Sequence, residues 1–119
     1  MTTTINEHDK FNEICIEEKK LTSESAPNFK SQLILLAAQD KSILCNLKNI
    51  DYIDSSGLSC FLIGDRLTKE SNCKFVICNA SDSVLNLIKL TKLDAVLTVI
   101  STLEEAKDFI LLDDLEKNL

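Results

Sequence analysis

Apolar residues along the chain recur at two spacings that take turns. In "FNEICIEEK" (11–19), Phe11 and Cys15 alternate with Ile14 and Ile16 about Glu13, which is the two-residue period of a strand. A shorter run near "TTTIN", turning back through "EHDK", predicts a strand ahead of it. The period then changes in "LTSESAPNFKSQLILLAAQDK", where Ala26, Phe29, Leu33, Leu36 and Ala37 keep the spacing of one helical face. Thr22 and Ser23 are the expected caps. Pro27 suits the first turn, whose amides lack intrahelical partners. "SILCNL" (42–47) and "CKFVICNA" (73–80) read as strands, and "SSGLSCFLIGDRLTKES" (55–71) between them has the length and period of a helix. "SDSVLNLIKLTKL" (81–93) places Val84, Leu87, Ile88 and Thr91 on one face, and "AVLTVIS" (95–101) is a β-branched strand. "STLEEAKDFILL" (101–112) opens with Ser101-x-x-Glu104 and Thr102-x-x-Glu105, either of which can form a capping box. The charged tail "DDLEKNL" (113–119) is expected to fray. Strands alternating with helices predict an α/β fold: one domain with a mixed β-sheet of four to five strands flanked by about four helices.

Composition narrows the function classes. A chain of 119 residues suits one domain with a single core, and 45% hydrophobic against 27% charged residues fits a soluble globular protein. No apolar run approaches the roughly 18 residues of a membrane span. The opening "MTTTINEHDK" is polar, unlike a basic, apolar secretory signal, so a cytoplasmic location is expected. A net charge of −6 without a basic stripe argues against nucleic-acid binding. Cys15, Cys45, Cys60, Cys73 and Cys78 form no C-x-x-C pair and sit in apolar runs, which favours reduced, buried thiols over zinc ligands. No metal or cofactor is expected.

The chemistry concentrates in "NIDYIDSSGLSCFL" (49–62), where Asp54-Ser55-Ser56-Gly57 separates a strand-like run from a helix-like one. Binding sites of α/β folds tend to lie at such strand exits. A hydrolase elbow requires G-x-S-x-G and a histidine base, but no glycine precedes the serines and the one histidine, His8, falls in a polar stretch that reads as a solvated loop. Gly57 and Gly64 are the only glycines, so no glycine-rich phosphate loop can be written, and no enzyme is expected. A phosphoaspartate receiver would use Asp54 as acceptor, with Glu17-Glu18 as its metal-binding acidic pair, though "AVLTVIS" lacks the lysine such domains carry. Asp54, Ser55 and Ser56 are also ordinary helix caps. One cap needs one side chain, which leaves a spare hydroxyl.

At these residues the chain resembles the anti-sigma factor antagonist group of STAS domains, whose D-S-[ST]-G-L element follows a strand like "ILCNLKNI". The resemblance covers about residues 11–112. It departs at "KKLTS", where the family often has an acidic residue after Gly-x-Leu, and at Ser59, where a glycine is common. It implies a STAS domain acting as a switch. Unphosphorylated, such a domain binds an anti-sigma factor that is itself a GHKL-type serine kinase. Phosphorylation of the serine after the motif aspartate breaks that complex, and a PP2C-type phosphatase resets it. Carried onto this chain, Ser55 is the acceptor, with Ser56 the second choice, while Asp54, Ser56 and Gly57 shape the loop.

A phosphoserine brings roughly −1.5 to −2 charges. Free amides at a helix N-terminus are expected to favour it by about 0.3–1 kcal/mol, whereas an unpaired dianion in a protein interface costs several kcal/mol. The following helix carries more large apolar side chains than one buried stripe needs, so Leu58, Ser59, Phe61 and Leu62 are the expected partner-binding residues. The alternatives are a STAS scaffold in a non-sigma assembly, such as lipid transport or signalling, and the phosphoaspartate receiver.

Overall fold

The computed structural model describes residues 2–119. In chain order the elements are β1 (Thr3–Glu7), β2 (Phe11–Ile16), β3 (Lys20–Leu21), α1 (Ala26–Ala37), β4 (Ser42–Asn46), β5 (Tyr52–Ile53) and α2 (Ser55–Glu70). They are followed by β6 (Phe75–Cys78), α3 (Asp82–Leu90), a 3-10 turn (Leu93–Ala95), β7 (Thr98–Ile100) and α4 (Leu103–Lys117). The main sheet has the order β1-β2-β4-β6-β7 and is mixed, because β1 pairs antiparallel with β2 and every other pair is parallel.

From β2 to β7 the chain steps across the sheet in one direction. Crossovers of one hand then place α1, α2 and α3 on the same face. The packing agrees: Ile14, Ile16, Ile43, Cys45, Phe75 and Ile77 join Phe29, Leu33, Phe61, Val84 and Ile88 in the larger core. The alternate strand positions Phe11, Leu44, Val76 and Cys78 form a smaller core with Ala106 and Ile110 of α4. The four helices and five-stranded mixed sheet match the architecture read from the hydrophobic spacing. Val84 and Ile88 are buried and Leu87 is half-buried, but Thr91 is exposed and ends α3, its hydroxyl donating to Leu87 O at 2.9 Å.

Several local expectations are corrected. Thr22 and Ser23 do not cap α1; Ser25 holds that position and makes no side-chain cap bond. Pro27 in the first turn removes one of the amides a cap would serve. The Ser25 hydroxyl instead accepts from Thr22 N at 3.2 Å, closing a turn ahead of the helix. Ala95 belongs to the 3-10 turn rather than to a strand, so β7 is only three residues long. At 73–80 the strand is likewise shorter, Phe75–Cys78.

The tail does not fray at 113, because ion pairs bind it. Asp113 meets Lys74 at 3.9 Å and Lys117 at 3.5 Å, Asp114 meets Lys10 at 3.7 Å, and Lys117 Nζ donates to Asn72 O at 2.7 Å. Of the capping boxes, Thr102–Glu105 forms: Glu105 N donates to the Thr102 hydroxyl at 3.1 Å, which itself donates to the Glu105 carboxylate at 3.0 Å. His8 is half-buried rather than solvated, stacked on Phe11 with ring centroids 4.3 Å apart.

Candidate functional site

The motif is held by a feature absent from the sequence reading. Beside the main sheet, β3 and β5 pair in parallel, Lys20 opposite Tyr52 and Leu21 opposite Ile53. Two residues per strand are too few to show a period. This small sheet brings the chain ahead of α1 against the entrance of α2.

Asp54 locks the junction. As the N-cap of α2, its Oδ1 accepts from Ser56 N at 2.9 Å and Gly57 N at 3.1 Å. Its Oδ2 accepts from Ser23 N at 3.0 Å, across 31 residues of chain. Asp54 N in turn donates to Leu21 O at 3.3 Å. The capping role read from the sequence is therefore correct, with a tether to the Thr22–Ser25 turn added to it. Gly57 is required by the same junction. A Cβ placed on it would lie 2.8 Å from Leu21 O and 3.2 Å from Ile53 Cβ, so it admits the protein's own backbone, not a partner's.

Ser55 is the first residue of α2 and is exposed, and its hydroxyl makes no hydrogen bond among the described residues. Ser56 is half-buried. Because Asp54 already holds the amides of Ser56 and Gly57, those two donors are not available to an anion on Ser55. The free-amide cradle expected for that anion therefore loses these two donors.

The expected partner-binding residues divide. Leu58 and Phe61 are buried in the larger core, Phe61 meeting Phe29 and Phe75 with ring centroids 6.4 and 6.2 Å apart. α2 packs on the sheet and on α1 at once and so buries more than one narrow stripe, which accounts for the apolar surplus. Neither residue is available for docking. Leu62 is half-buried against that core, and Ser59 is exposed with its hydroxyl donating to Ser55 O at 2.9 Å.

The exposed apolar surface near Ser55 comes from other elements. An open groove of about 500 Å³ runs between Tyr52, Ile53, Asp54 and Ser55 on one bank and Ser83, Asn86, Leu87 and Leu90 of α3 on the other. Tyr52 is 49% exposed and Leu90 81%. Leu90 is the one signal the sequence offered, being a leucine off the stripe that buries Val84 and Ile88.

The receiver's acidic pair does not converge on Asp54. Glu17 accepts from the Thr4 hydroxyl at 3.0 Å and from Asn49 Nδ2 at 3.1 Å, and Glu18 accepts from Thr2 N at 3.2 Å. Among the described residues no group of three or more His, Cys, Asp or Glu side chains could hold a metal ion. All five cysteines are buried and unbridged. Burial, helped by Glu17, pushes the Cys15 thiol up to about 11, and burial, helped by Glu13, pushes Cys78 up to about 12. Burial raises Cys45 and Cys60 as well. Thiols held protonated in this way are packing groups, not nucleophiles. No helix among the described residues is long and apolar enough to cross a membrane.

Comparison with known proteins places this geometry. The sequence model of the STAS domain family matches residues 16–106. The chain is 28% identical over 75 residues to the anti-sigma-B factor antagonist of Bacillus subtilis (strain 168), spanning 63% of this chain and 69% of that protein. Its fold matches an anti-sigma factor antagonist from Mycobacterium paratuberculosis with a TM-score of 0.80 and 21% identity, covering 92% of each chain. It also matches the Bacillus cell fate determinant SpoIIAA in its phosphorylated form, with a TM-score of 0.72, 17% identity, and 92% of this chain against 99% of that one.

Proposed function

The chain belongs to the STAS domain family, and on that premise we propose that it is an anti-sigma factor antagonist controlled by phosphorylation of Ser55. In this reading it is a cytoplasmic binding protein, not an enzyme. Unmodified, it sequesters an anti-sigma factor that is also a GHKL-type serine kinase. That kinase transfers the terminal phosphoryl group of ATP to Ser55 Oγ and leaves ADP, and the complex parts. A PP2C-type phosphatase hydrolyses the ester and restores binding.

One observation carries the reading: an exposed, unengaged hydroxyl stands on the rim of an apolar groove, at a helix end where Asp54 already takes the amides of Ser56 and Gly57. A phosphate there keeps its charge facing the docked surface. Desolvating an unpaired dianion costs several kcal/mol, and each 1.4 kcal/mol is about tenfold in affinity. The groove supplies the apolar contact that such a charge spoils.

The test is incubation with the GHKL kinase encoded nearest to this chain's gene and ATP, followed by phosphosite mapping and binding measurements. The expected result is acid-stable phosphate on Ser55, retained binding by Ser55→Ala and lost binding by Ser55→Asp. Acid-labile phosphate on Asp54 would instead identify a receiver. Binding without any label would leave the scaffold reading.

A further inference from the structure

We propose that β1 is a pairing edge, on which a second copy of this chain adds its own β1 antiparallel to make one continuous sheet. An edge strand shows a row of unpaired amides and carbonyls, and proteins ordinarily blunt it by shortness, lysine, proline or a bulge. The two ends of the main sheet differ in this respect. At one end β7 is three residues long and half-buried. At the other, β1 is five residues long, exposed from Thr4 onward, and pairs one-to-one with β2 without a bulge. Its sequence, TTINE, holds neither lysine nor proline. Among the described residues β2 is its only strand partner.

The ladder fixes which groups face out. His8 N donates to Phe11 O at 2.9 Å and Glu17 N to Thr2 O at 2.9 Å, in the register that sets Ile5 opposite Ile14. Hydrogen-bonded and non-bonded pairs alternate along an antiparallel ladder, so Thr4 and Asn6 turn their backbone groups toward β2. Thr3, Ile5 and Glu7 turn theirs away from it, to the open edge.

The occupant follows because the strand complements itself. Centred on Ile5, an antiparallel second copy sets Ile5 against Ile5, Thr3 against Glu7 and Thr4 against Asn6. Every residue of β1 then has a counterpart, and the outward-facing residues meet one another. The two isoleucines, each 40% exposed in the single chain, cover each other on the two-fold axis. Glu7, the one charge in the strand, faces a threonine hydroxyl, and no like charges stand opposite. The carboxylates behind Thr4 and Asn6 are already engaged: Glu17 accepts from the Thr4 hydroxyl at 3.0 Å and Glu13 from Asn6 Nδ2 at 3.5 Å. Sliding the pair by two residues either way loses the isoleucine contact and strands the ends. The helices make their main contacts with the large sheet at β4, β6 and β7, away from this edge. α3, one bank of the Ser55 groove, joins β6 to β7 at the far end of the strand order, so the pairing is separate from that site. A net charge of −6 on each copy opposes association, and salt screens it.

The experiment is sedimentation velocity of the full chain in added salt, over a concentration series to about 1 mM, with amide hydrogen exchange on the same samples. The expected result is a monomer–dimer equilibrium in which exchange at Thr3, Ile5 and Glu7 slows as concentration rises, while Thr4 and Asn6 do not change. Ile5→Pro removes an outward N–H and leaves the β2 ladder whole, and Ile5→Lys sets two ammonium groups against each other. Each should weaken dimerisation by about tenfold or more. Leu111→Ser with Leu115→Ser on α4, and separately Leu90→Asp on α3, should change it less than about twofold. Circular dichroism melts check that the variants fold; if Ile5→Pro does not, Ile5→Lys and the exchange pattern decide. A monomer throughout the series, a dimer that survives the Ile5 variants, or protection rising equally at Thr4 and Asn6 would each overturn the proposal. A dimer lost with the leucines instead would overturn it in favour of a helical interface.

Discussion

Replacing Asp54 by alanine removes one carboxylate that serves three backbone donors. Two of them, Ser56 N and Gly57 N, are helix-start amides reached at 2.9 and 3.1 Å, and the third, Ser23 N, lies 3.0 Å away in an exposed turn. Losing an N-cap side chain costs about 0.5–2 kcal/mol, and hydrogen bonds to charged groups contribute about 1.5–3 kcal/mol. Water can replace the acceptor at Ser23 but less readily at half-buried Ser56 and buried Gly57. Asp54→Ala should therefore destabilise by about 2–3 kcal/mol, with most of the loss at the helix start. Asp54→Asn separates the two roles. Its amide oxygen still caps α2, but its NH2 faces the Ser23 N–H and cannot accept from it, so the cost falls to about 0.5–1 kcal/mol. Urea unfolding with an unchanged m-value gives the totals, and amide hydrogen exchange gives the location. Exchange at Ser23 should rise in both variants, and at Ser56 and Gly57 only in the alanine variant. An alanine variant within about 0.5 kcal/mol of the parent, or unchanged exchange at Gly57, would refute the reasoning.

Gly57→Ala gains about 0.8–1.0 kcal/mol of helix propensity but drives a methyl group to 2.8 Å from a backbone oxygen that cannot rotate away, so overpacking of about 1–3 kcal/mol wins and urea unfolding should show a net loss. Phe61→Ala should cost about 3–5 kcal/mol in the same assay, because the ring is fully buried between two others; Leu90→Asp should change stability by less than about 0.5 kcal/mol while weakening partner affinity in a titration. Cys15 should resist iodoacetamide in the folded chain at pH 8, since burial pushes its thiol up to about 11. The unfolded thiol ionises first, so this group's stabilisation is complete below about pH 9 and drains away as pH rises toward 11, a loss that Cys15→Ala should make shallower.

The layers were legible from spacing because the long elements repeat their period. Ala26, Phe29, Leu33, Leu36 and Ala37 are all buried where the helical rhythm puts them, and β2, β4 and β6 lie within their β-rich runs. Short elements escaped for the opposite reason. β3 and β5 pair over two residues each, and nothing local marks a contact made across 32 positions. The motif itself was visible as a cluster of capping residues with one hydroxyl to spare. Its surroundings were not: an apolar surplus in α2 is compatible with burial and with docking alike, and only tertiary placement shows that Phe61 is buried while Leu90 of α3 is exposed.

The unequal covering of the sheet carries a consequence for how the molecule breathes. Three helices share one core over one side, while α4 alone caps the other through a modest set of side chains anchored on Ala106 and Ile110. Lifting that final helix would leave every strand-to-strand ladder intact, so it should unlatch as a separate cooperative unit at a smaller free energy than whole-chain melting. A ligand clasped against it would slow that excursion, and the rest of the molecule would carry on unaware.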